Sequence, residues 1–512
     1  MVTFPERFNM AEYFLDHNVS AGRGDKVCLR FEDQSLTCAE VVRESNRAGH
    51  LLRELGAGME DRVLFALPDI PQFVSCWFGA AKIGAVIAMV NPLLPDVDVY
   101  AYYLEYTRAK VLIVHESLIE SLRPVIAQAR HLKNVLVTGA DGHGFAHYET
   151  LAPQMPDELT VADTHRDDPA IWLFTSGSTG KPKAAVHLQH DLPYNTECYA
   201  KQVLQMNEDD VTVGVPKLFF GYATGTNLLF PFAVGAATAL FAERSTPEKM
   251  FEVIERYRPT VLTSVPTMIN AMLNVPDAAA RDLSCLRVCV SAGEALPPEL
   301  YRRWKDTFGV EILDGVGSAE MFHIYISNRF GDVKPGCLGQ LVPGYEAQIV
   351  GPDHQPLPDG QMGTLRIGGD SAALCYWQSH EKSKATFAGD WCTTGDQFTR
   401  DADGYFWYGG RTDEMLKVSG VFVSPTEVEN CLLEHAAVRE CAVIGFQDAD
   451  GLTKSKAFIV LHESFSAGDE LARALQDFVK SRLAMHKYPR RVEFVLSLPK
   501  NDRGKIDRKS LR

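Results

Sequence analysis

Long apolar runs, paired cysteines and a surplus of positive charge are all missing from this chain. Its most apolar stretch, Cys76 to Pro95, is broken by Lys82, Asn91 and two prolines. That is too short and too interrupted to span a bilayer, and it reads as a buried helix leading into a strand. Met1 to Asn18 mixes charged and apolar residues without a secretory core or cleavage site, so no export signal and no membrane partner are expected. The eleven cysteines lie without paired spacing. Cys285 and Cys289 alternate with apolar residues, as buried thiols in a strand do, which argues against metal ligands. An odd count without an export signal points to a reducing cytoplasm. With 51 Lys+Arg against 66 Asp+Glu and a net charge of −15, nucleic acid is set aside as a main partner, because phosphate backbones need a basic footprint. A local loop can still hold a small anion inside an acidic protein.

What is present is ample material for packed cores: 512 residues, 46% of them hydrophobic and 10% aromatic. At roughly 100–200 residues per domain, that length predicts about three or four domains or subdomains. From about Lys26 to Ile312, short apolar runs such as Val111–His115, Asn134–Thr138 and Ile171–Phe174 alternate with helical patterns such as Glu248–Tyr257 and Pro297–Phe308. Strand, helix, strand at this spacing predicts parallel α/β layers. Beyond Asp314 the segments shorten, with Gly344–Val350, Gly363–Gly368 and Gly404–Tyr408 set between turns, which predicts a small antiparallel β subdomain. From about Arg411 a third zone reads strand (Val418–Val423), helix (Pro425–His435), two strands, helix (Asp469–Leu483), strand (Val492–Leu496). The fold class expected is therefore α/β: a large N-terminal body of several subdomains and a small α+β C-terminal lid.

The strongest single signal is Thr175-Ser176-Gly177-Ser178-Thr179-Gly180-Lys181-Pro182-Lys183, directly after an apolar strand. Gly177 and Gly180 permit tight curvature, so successive N–H groups can converge on phosphate oxygens, with hydroxyl donors and the Lys183 cation beside them. It is not a Walker A loop, because Lys181 is followed by proline and the glycine spacing differs. Gly/Ser/Thr clusters are usually surface turns; two lysines and a proline fused to this one behind a buried strand set it apart.

This loop resembles the signature of the adenylate-forming superfamily, which includes acyl- and aryl-CoA ligases. Further stations of that family follow in order. Ser291-Ala292-Gly293-Glu294-Ala295-Leu296 resembles the adenine-side loop. In Asp314-Gly315-Val316-Gly317-Ser318-Ala319-Glu320, the resemblance implies Asp314 as acceptor from the adenine amino group and Glu320 as ligand to Mg²⁺. Thr394-Gly395-Asp396 resembles the ribose station, and Gly410-Arg411-Thr412-Asp413 the hinge, with Arg411 reaching ribose or phosphates and Asp413 absorbing the rotation. In isolation this last tetrapeptide is an ordinary polar turn. Pro499 to Ile506 resembles the C-terminal catalytic loop, with Lys505 as the mobile lysine. A body over 1–410, a hinge over 411–413 and a mobile lid over 414–512 are then expected. The implied reaction joins a carboxylate to ATP as acyl-AMP with release of pyrophosphate, after which a thiol displaces AMP.

The resemblance also bears on branch and acid. Lys417 would act in the second half-reaction, and Ser419 and Gly420 would line a pantetheine tunnel, which favours coenzyme A. A carrier-protein phosphopantetheine arm would use the same tunnel. Lys217 to Gly225 and Asp314 to Ile326 resemble the benzoate-CoA ligase branch, which implies a slot for an aromatic carboxylate lined by Phe220, Gly221, Tyr222, Gly317, His323 and Ile324. Alone, Tyr222 and His323 would read as core residues. Gly221 stands where the branch usually has alanine, so a small ring substituent is expected, 2-aminobenzoate first, benzoate or a hydroxybenzoate behind it. Ala319 stands where threonine is usual, with Ser318 as a substitute hydroxyl, and Asn501 replaces another threonine. Two other readings stay open: a free-standing adenylation enzyme that loads a carrier protein, and a non-catalytic acyl-nucleotide binder. The oligomeric state is open too, a homodimer included.

Overall fold

The computed structural model describes residues 2–94, 96–175, 181–412, 414–418, 421–448, 453–500 and 506–511, the side chains of Lys417, Val421 and Phe422 excepted. Two large mixed sheets organise the body. One has eight strands, in the order 375–376, 183–188, 169–175, 86–89, 62–66, 111–115, 134–138, 146–147. The other has nine, running 340–341, 324–327, 312–317, 288–291, 261–264, 211–214, 237–240, 27–31, 34–37. Central pairs such as Arg62–Ala66 with Val86–Met89, or Val261–Ser264 with Val288–Ser291, are parallel. Their residues are apolar on both faces because helices cover both, which is what a parallel sheet requires.

Each large sheet ends in an antiparallel hairpin, and these two hairpins carry the loops of interest. Pro169–Thr175 pairs with Lys183–Leu188, Thr175 opposite Lys183. Ile312–Gly317 pairs with Ile324–Ser327, Gly317 opposite Ile324. The second hairpin departs from the expectation that the large sheet stops near Leu313. Gly315 and Gly317 let the strands close together: a Cβ at Gly317 would fall on the His323 carbonyl, and one at Gly315 would lie 2.6 Å from the Ile326 oxygen.

The helices of the body have ordinary physical causes. Cys38–Glu54 starts at a capping box in which the Thr37 hydroxyl accepts from the Glu40 amide and the Glu40 carboxylate accepts from the Thr37 amide. Pro71–Lys82 follows the anticipated Cys76–Pro95 pattern into the strand Val86–Met89. It packs on Cys38–Glu54 through Gly79, whose Cβ would sit 2.7 Å from the Gly49 nitrogen. No helix among the described residues is long and apolar enough to cross a membrane. All eleven cysteines are free thiols, and all but Cys285 and Cys375 are buried.

An antiparallel sheet of strands 346–350, 363–368, 391–400, 387–388 and 406–411 forms the small β subdomain. The C-terminal domain then has its own core, with Val428, Leu432, Val443, Ile459, Leu475 and Val479 between two helices and a three-stranded sheet. One expectation is corrected here. Val418–Val423 is not a single strand: Leu416–Val418 and Val421–Val423 pair antiparallel, Val418 opposite Val421. An apolar run interrupted by Ser419-Gly420 reads as continuous in one dimension, whereas glycine lets the chain reverse.

Candidate active site

Phosphate-loop residues Ser176, Gly177, Ser178, Thr179 and Gly180 lie outside the described residues, as do Asp413, Ser419, Gly420, Asn501 and Lys505. The ends of these segments are placed. Thr175 is half-buried at the close of its strand, and Lys500 and Ile506 form an antiparallel bridge on either side of residues 501–505. The Lys417 backbone belongs to the 416–418 strand.

The structure brings Lys183, Glu320 and Arg411 into one neighbourhood. Lys183 Nζ lies 3.4 Å from the centroid of the Tyr376 ring, and the Tyr376 hydroxyl donates to Glu320 Oε1 at 2.6 Å. Burial pulls the Lys183 ammonium down to about 8; Glu320 opposes that, and Lys382 and Arg411 reinforce it. Tyr376 was not singled out by its local sequence. It reaches the site because the two-residue strand Cys375–Tyr376 adds to the edge of Lys183–Leu188, Tyr376 opposite Ala185. Asp396 and Arg411 face each other across neighbouring strands with Oδ1 and Nη1 3.6 Å apart.

Glu320 sits in a short turn, Ala319–Met321, whose Glu320 carbonyl accepts from the Ala373 amide at 2.8 Å. The next residue, Phe322, has φ +69° and ψ −59°, and the His323 amide donates to the Met321 carbonyl at 2.9 Å. This is a γ-turn of the strained, positive-φ kind, a conformation kept only where its surroundings impose it. It reverses the chain between Glu320 and His323.

At the expected adenine station, Asp314 is the last residue of its strand to pair in parallel, opposite Ser291. Burial raises its carboxyl to about 8, against the Ser291 hydroxyl and the Leu296 and Gly315 amides, which favour the charged form. Gly293 adopts φ +88°, which an L side chain would strain. Ala295 is half-buried beside it. The Glu294 carboxylate is already engaged, its Oε2 accepting from Thr267 Oγ1 at 2.8 Å and from the Thr267 amide, at the start of helix Pro266–Leu273.

The expected slot residues also converge. The Tyr222 hydroxyl donates to the Ser264 and Val290 carbonyls at 3.2 Å, which fixes the ring 5.4 Å from His323. His323 Nε2 lies 3.0 Å from the Tyr222 carbonyl, so the proton is on Nε2; Nδ1 is a buried acceptor without a partner. Burial drives this imidazole down to about 3, which keeps it neutral. Ile324 is buried at the foot of the hairpin, and Phe220 is half-buried against Phe219. At Gly221 an added Cβ would lie 3.0 Å from Leu173 Cδ1. Leu173 therefore already fills the space beside Gly221, and a methyl there would crowd it.

This architecture, an α/β body with two glycine-containing hairpins and a separate C-terminal domain, is that of a nucleotide-activating enzyme. Comparison with known proteins gives the family. Residues 15–377 match the AMP-binding enzyme model and 427–505 match the AMP-binding enzyme C-terminal domain. The chain belongs to the AMP-binding enzyme family. It is 43% identical to the benzoate–CoA ligase of Thauera aromatica, over 100% of this chain and 97% of that protein. It is 37% identical to the 4-hydroxybenzoate–CoA/benzoate–CoA ligase of Rhodopseudomonas palustris, over 99% and 94% respectively. Among solved structures it resembles the anthranilate CoA ligase AuaEII in complex with anthranoyl-AMP, at TM-score 0.94 and 40% identity over 99% of this chain and 97% of that one. A benzoate CoA ligase from Burkholderia xenovorans LB400 matches at TM-score 0.91 and 40% identity, over 99% and 100%.

Proposed function

We propose that the acid activated here is a benzoate carrying a small hydrogen-bond-donating substituent, with 2-aminobenzoate first. The reaction class is that of the family: the chain is an ATP-dependent, AMP-forming aryl-CoA ligase. A carboxylate oxygen attacks the α-phosphorus of ATP and pyrophosphate leaves; the thiol sulfur then attacks the aryl-AMP carbonyl and AMP leaves. The observation that carries the choice of acid is the unpaired, neutral His323 Nδ1 beside Tyr222, next to Gly221, where a methyl would push Leu173 aside. A site built with a buried acceptor discriminates strongly in favour of a ligand that donates to it. The likeness to a structure holding anthranoyl-AMP supports the same reading.

In this reading Lys183 and Arg411 bind the phosphates, Asp396 the ribose hydroxyls and Asp314 the adenine amino group. Displacement at phosphorus is catalysed mainly by positioning and electrostatics, which is the part we give to Lys505, delivered by the lid. Glu320 is the residue that would hold Mg²⁺. Among the described residues no three acidic, histidine or cysteine groups are placed to hold a metal ion between them, and an ion bridging phosphates needs only one or two protein carboxylates. Bound there, it would neutralise phosphate charge. Lys417, Ser419 and Gly420 serve the thioester step, after rotation about Asp413. Coenzyme A is the acceptor, and a carrier-protein arm is the competing one.

The test is a panel of acids, namely 2-aminobenzoate, benzoate, hydroxybenzoates, a phenylpropenoate and a medium-chain fatty acid, supplied with ATP, Mg²⁺ and coenzyme A and read by mass spectrometry. The 2-amino acid should lead, and Gly221→Ala should cost it more than benzoate, by ~1–3 kcal/mol in relative kcat/KM. Equal losses for both acids would remove the role given to Gly221. Pyrophosphate without a coenzyme A ester would shift the acceptor to a carrier protein.

A further inference from the structure

Beneath the Glu320 turn lies a buried pair that the roles above do not use. His187 and Asp191 have side chains 0% and 1% exposed, with Nδ1 and Oδ2 2.7 Å apart. Asp191 Oδ2 also accepts from the Leu188 amide at 3.1 Å, and Oδ1 faces His190 Nε2 at 3.4 Å. On the other side of the ring, His187 Nε2 lies 2.7 Å from the carbonyl oxygen of Ala319, the residue before Glu320. A carboxylate and a peptide carbonyl both accept and neither donates. A neutral imidazole donates from one nitrogen only, so this geometry calls for a proton on each.

The contact joins the two hairpins. His187 belongs to the strand Lys183–Leu188, and Ala319 lies in the turn that closes the hairpin of the other large sheet. Lys183 begins that same strand and touches Tyr376, Tyr376 bonds Glu320, and Glu320 follows Ala319. The contacts form a closed ring, from Lys183 through Tyr376, Glu320, Ala319 and His187 back along one strand. Extended backbone places residues 183 and 187 on one face, four positions apart.

We propose that Asp191 and His187 are positioning residues that fix the separation between Glu320 and Lys183 by donating through His187 to the Ala319 carbonyl, and so set the affinity for the Mg²⁺–ATP complex. Glu320 then has no rotation of its turn left: Ala319 is held from below, the Glu320 carbonyl by Ala373 and its carboxylate by Tyr376. Outer hydrogen bonds of this kind orient a ligating side chain and hold it ready. The inference rests on the reading of Glu320 given above.

Two measurements test it. In the ligand-free, nitrogen-15 histidine-labelled protein, His187, assigned by the signals lost in His187→Gln, should show both ring nitrogens bearing protons and one strongly deshielded N–H. A bare nitrogen on that ring overturns the proposal without reference to activity. Asp191→Asn should raise the KM for Mg²⁺–ATP in pyrophosphate release by ~10-fold or more, while thioester formation from supplied aryl-AMP and coenzyme A keeps its rate. Equal losses in both half-reactions, or none in either, overturn it. Should Asp191→Asn fail to fold, the resonance in the unmodified protein still decides. Wild-type protein that makes no aryl-AMP overturns the reading of Glu320 and this inference with it. Active wild type with an unaltered Asp191→Asn overturns the inference alone.

Discussion

At the residue scale, burial shifts two ionisable groups of the site in opposite directions, Lys183 down and Asp314 up. Lys183 is pulled down to about 8 by burial, with Glu320 as its nearest counterweight. Its charge is therefore present below that pH and lost above it, although an ordinary lysine would hold it well beyond. The KM for ATP should rise as pH passes about 8, and Lys183→Arg, which cannot lose its proton, should flatten that rise. A profile unchanged by the substitution would separate Lys183 from phosphate binding. Asp314 behaves inversely, because burial lifts its carboxyl from 3.8 to about 8. Between those values the folded protein keeps a proton that the unfolded chain has released, so stability falls as pH rises through the window. Below it both states are protonated and the contribution vanishes. Asp314→Asn should make the Tm of the body less steeply dependent on pH between about 4 and 8, as calorimetry of ligand-free protein would show. An unaltered slope would mean that the carboxyl is not the group responsible.

At the scale of elements, the two hairpins decide the geometry. Gly317→Ala puts a methyl on the His323 carbonyl, a backbone atom that cannot turn aside. We expect the Ile312–Gly317 hairpin to be destabilised by ~1–3 kcal/mol, with a lower Tm and loss of acid binding together. A variant with wild-type Tm would show that the strands can part at no cost. How far these elements were legible depended on how local their causes were. Asn134–Thr138 and Gly363–Gly368 were read with the bounds observed, because each is an apolar or alternating run between turn residues. The hairpin 416–423 was misread as one strand, since nothing in its apolar pattern marks the reversal except Gly420. The extension of the nine-stranded sheet by residues 324–327 was also missed, because pairing across a turn that depends on a strained Phe322 leaves no periodic trace. The candidate nucleotide and acid residues were named through motif resemblance, and their roles rest on it. Tyr376, His187 and Asp191 have no motif; they matter only because distant strands bring them under Lys183 and Glu320.

For the whole molecule, the account is that a large body holds ATP and the acid while a separate C-terminal domain brings Lys505 and later Lys417 to the same centre. Charge and sequence composition said little about this: the molecule is acidic overall, yet Lys183 and Arg411 share one neighbourhood with Glu320. The central claim is that the carboxylate attacks the α-phosphorus before coenzyme A enters. It is tested most directly by supplying 2-aminobenzoate labelled with oxygen-18 in its carboxyl group, together with ATP, Mg²⁺ and coenzyme A, and weighing the products. One labelled oxygen should appear in AMP, with 2-aminobenzoyl-CoA retaining the other and pyrophosphate unlabelled. Thioester formed with unlabelled AMP, or with ADP in its place, would contradict the account.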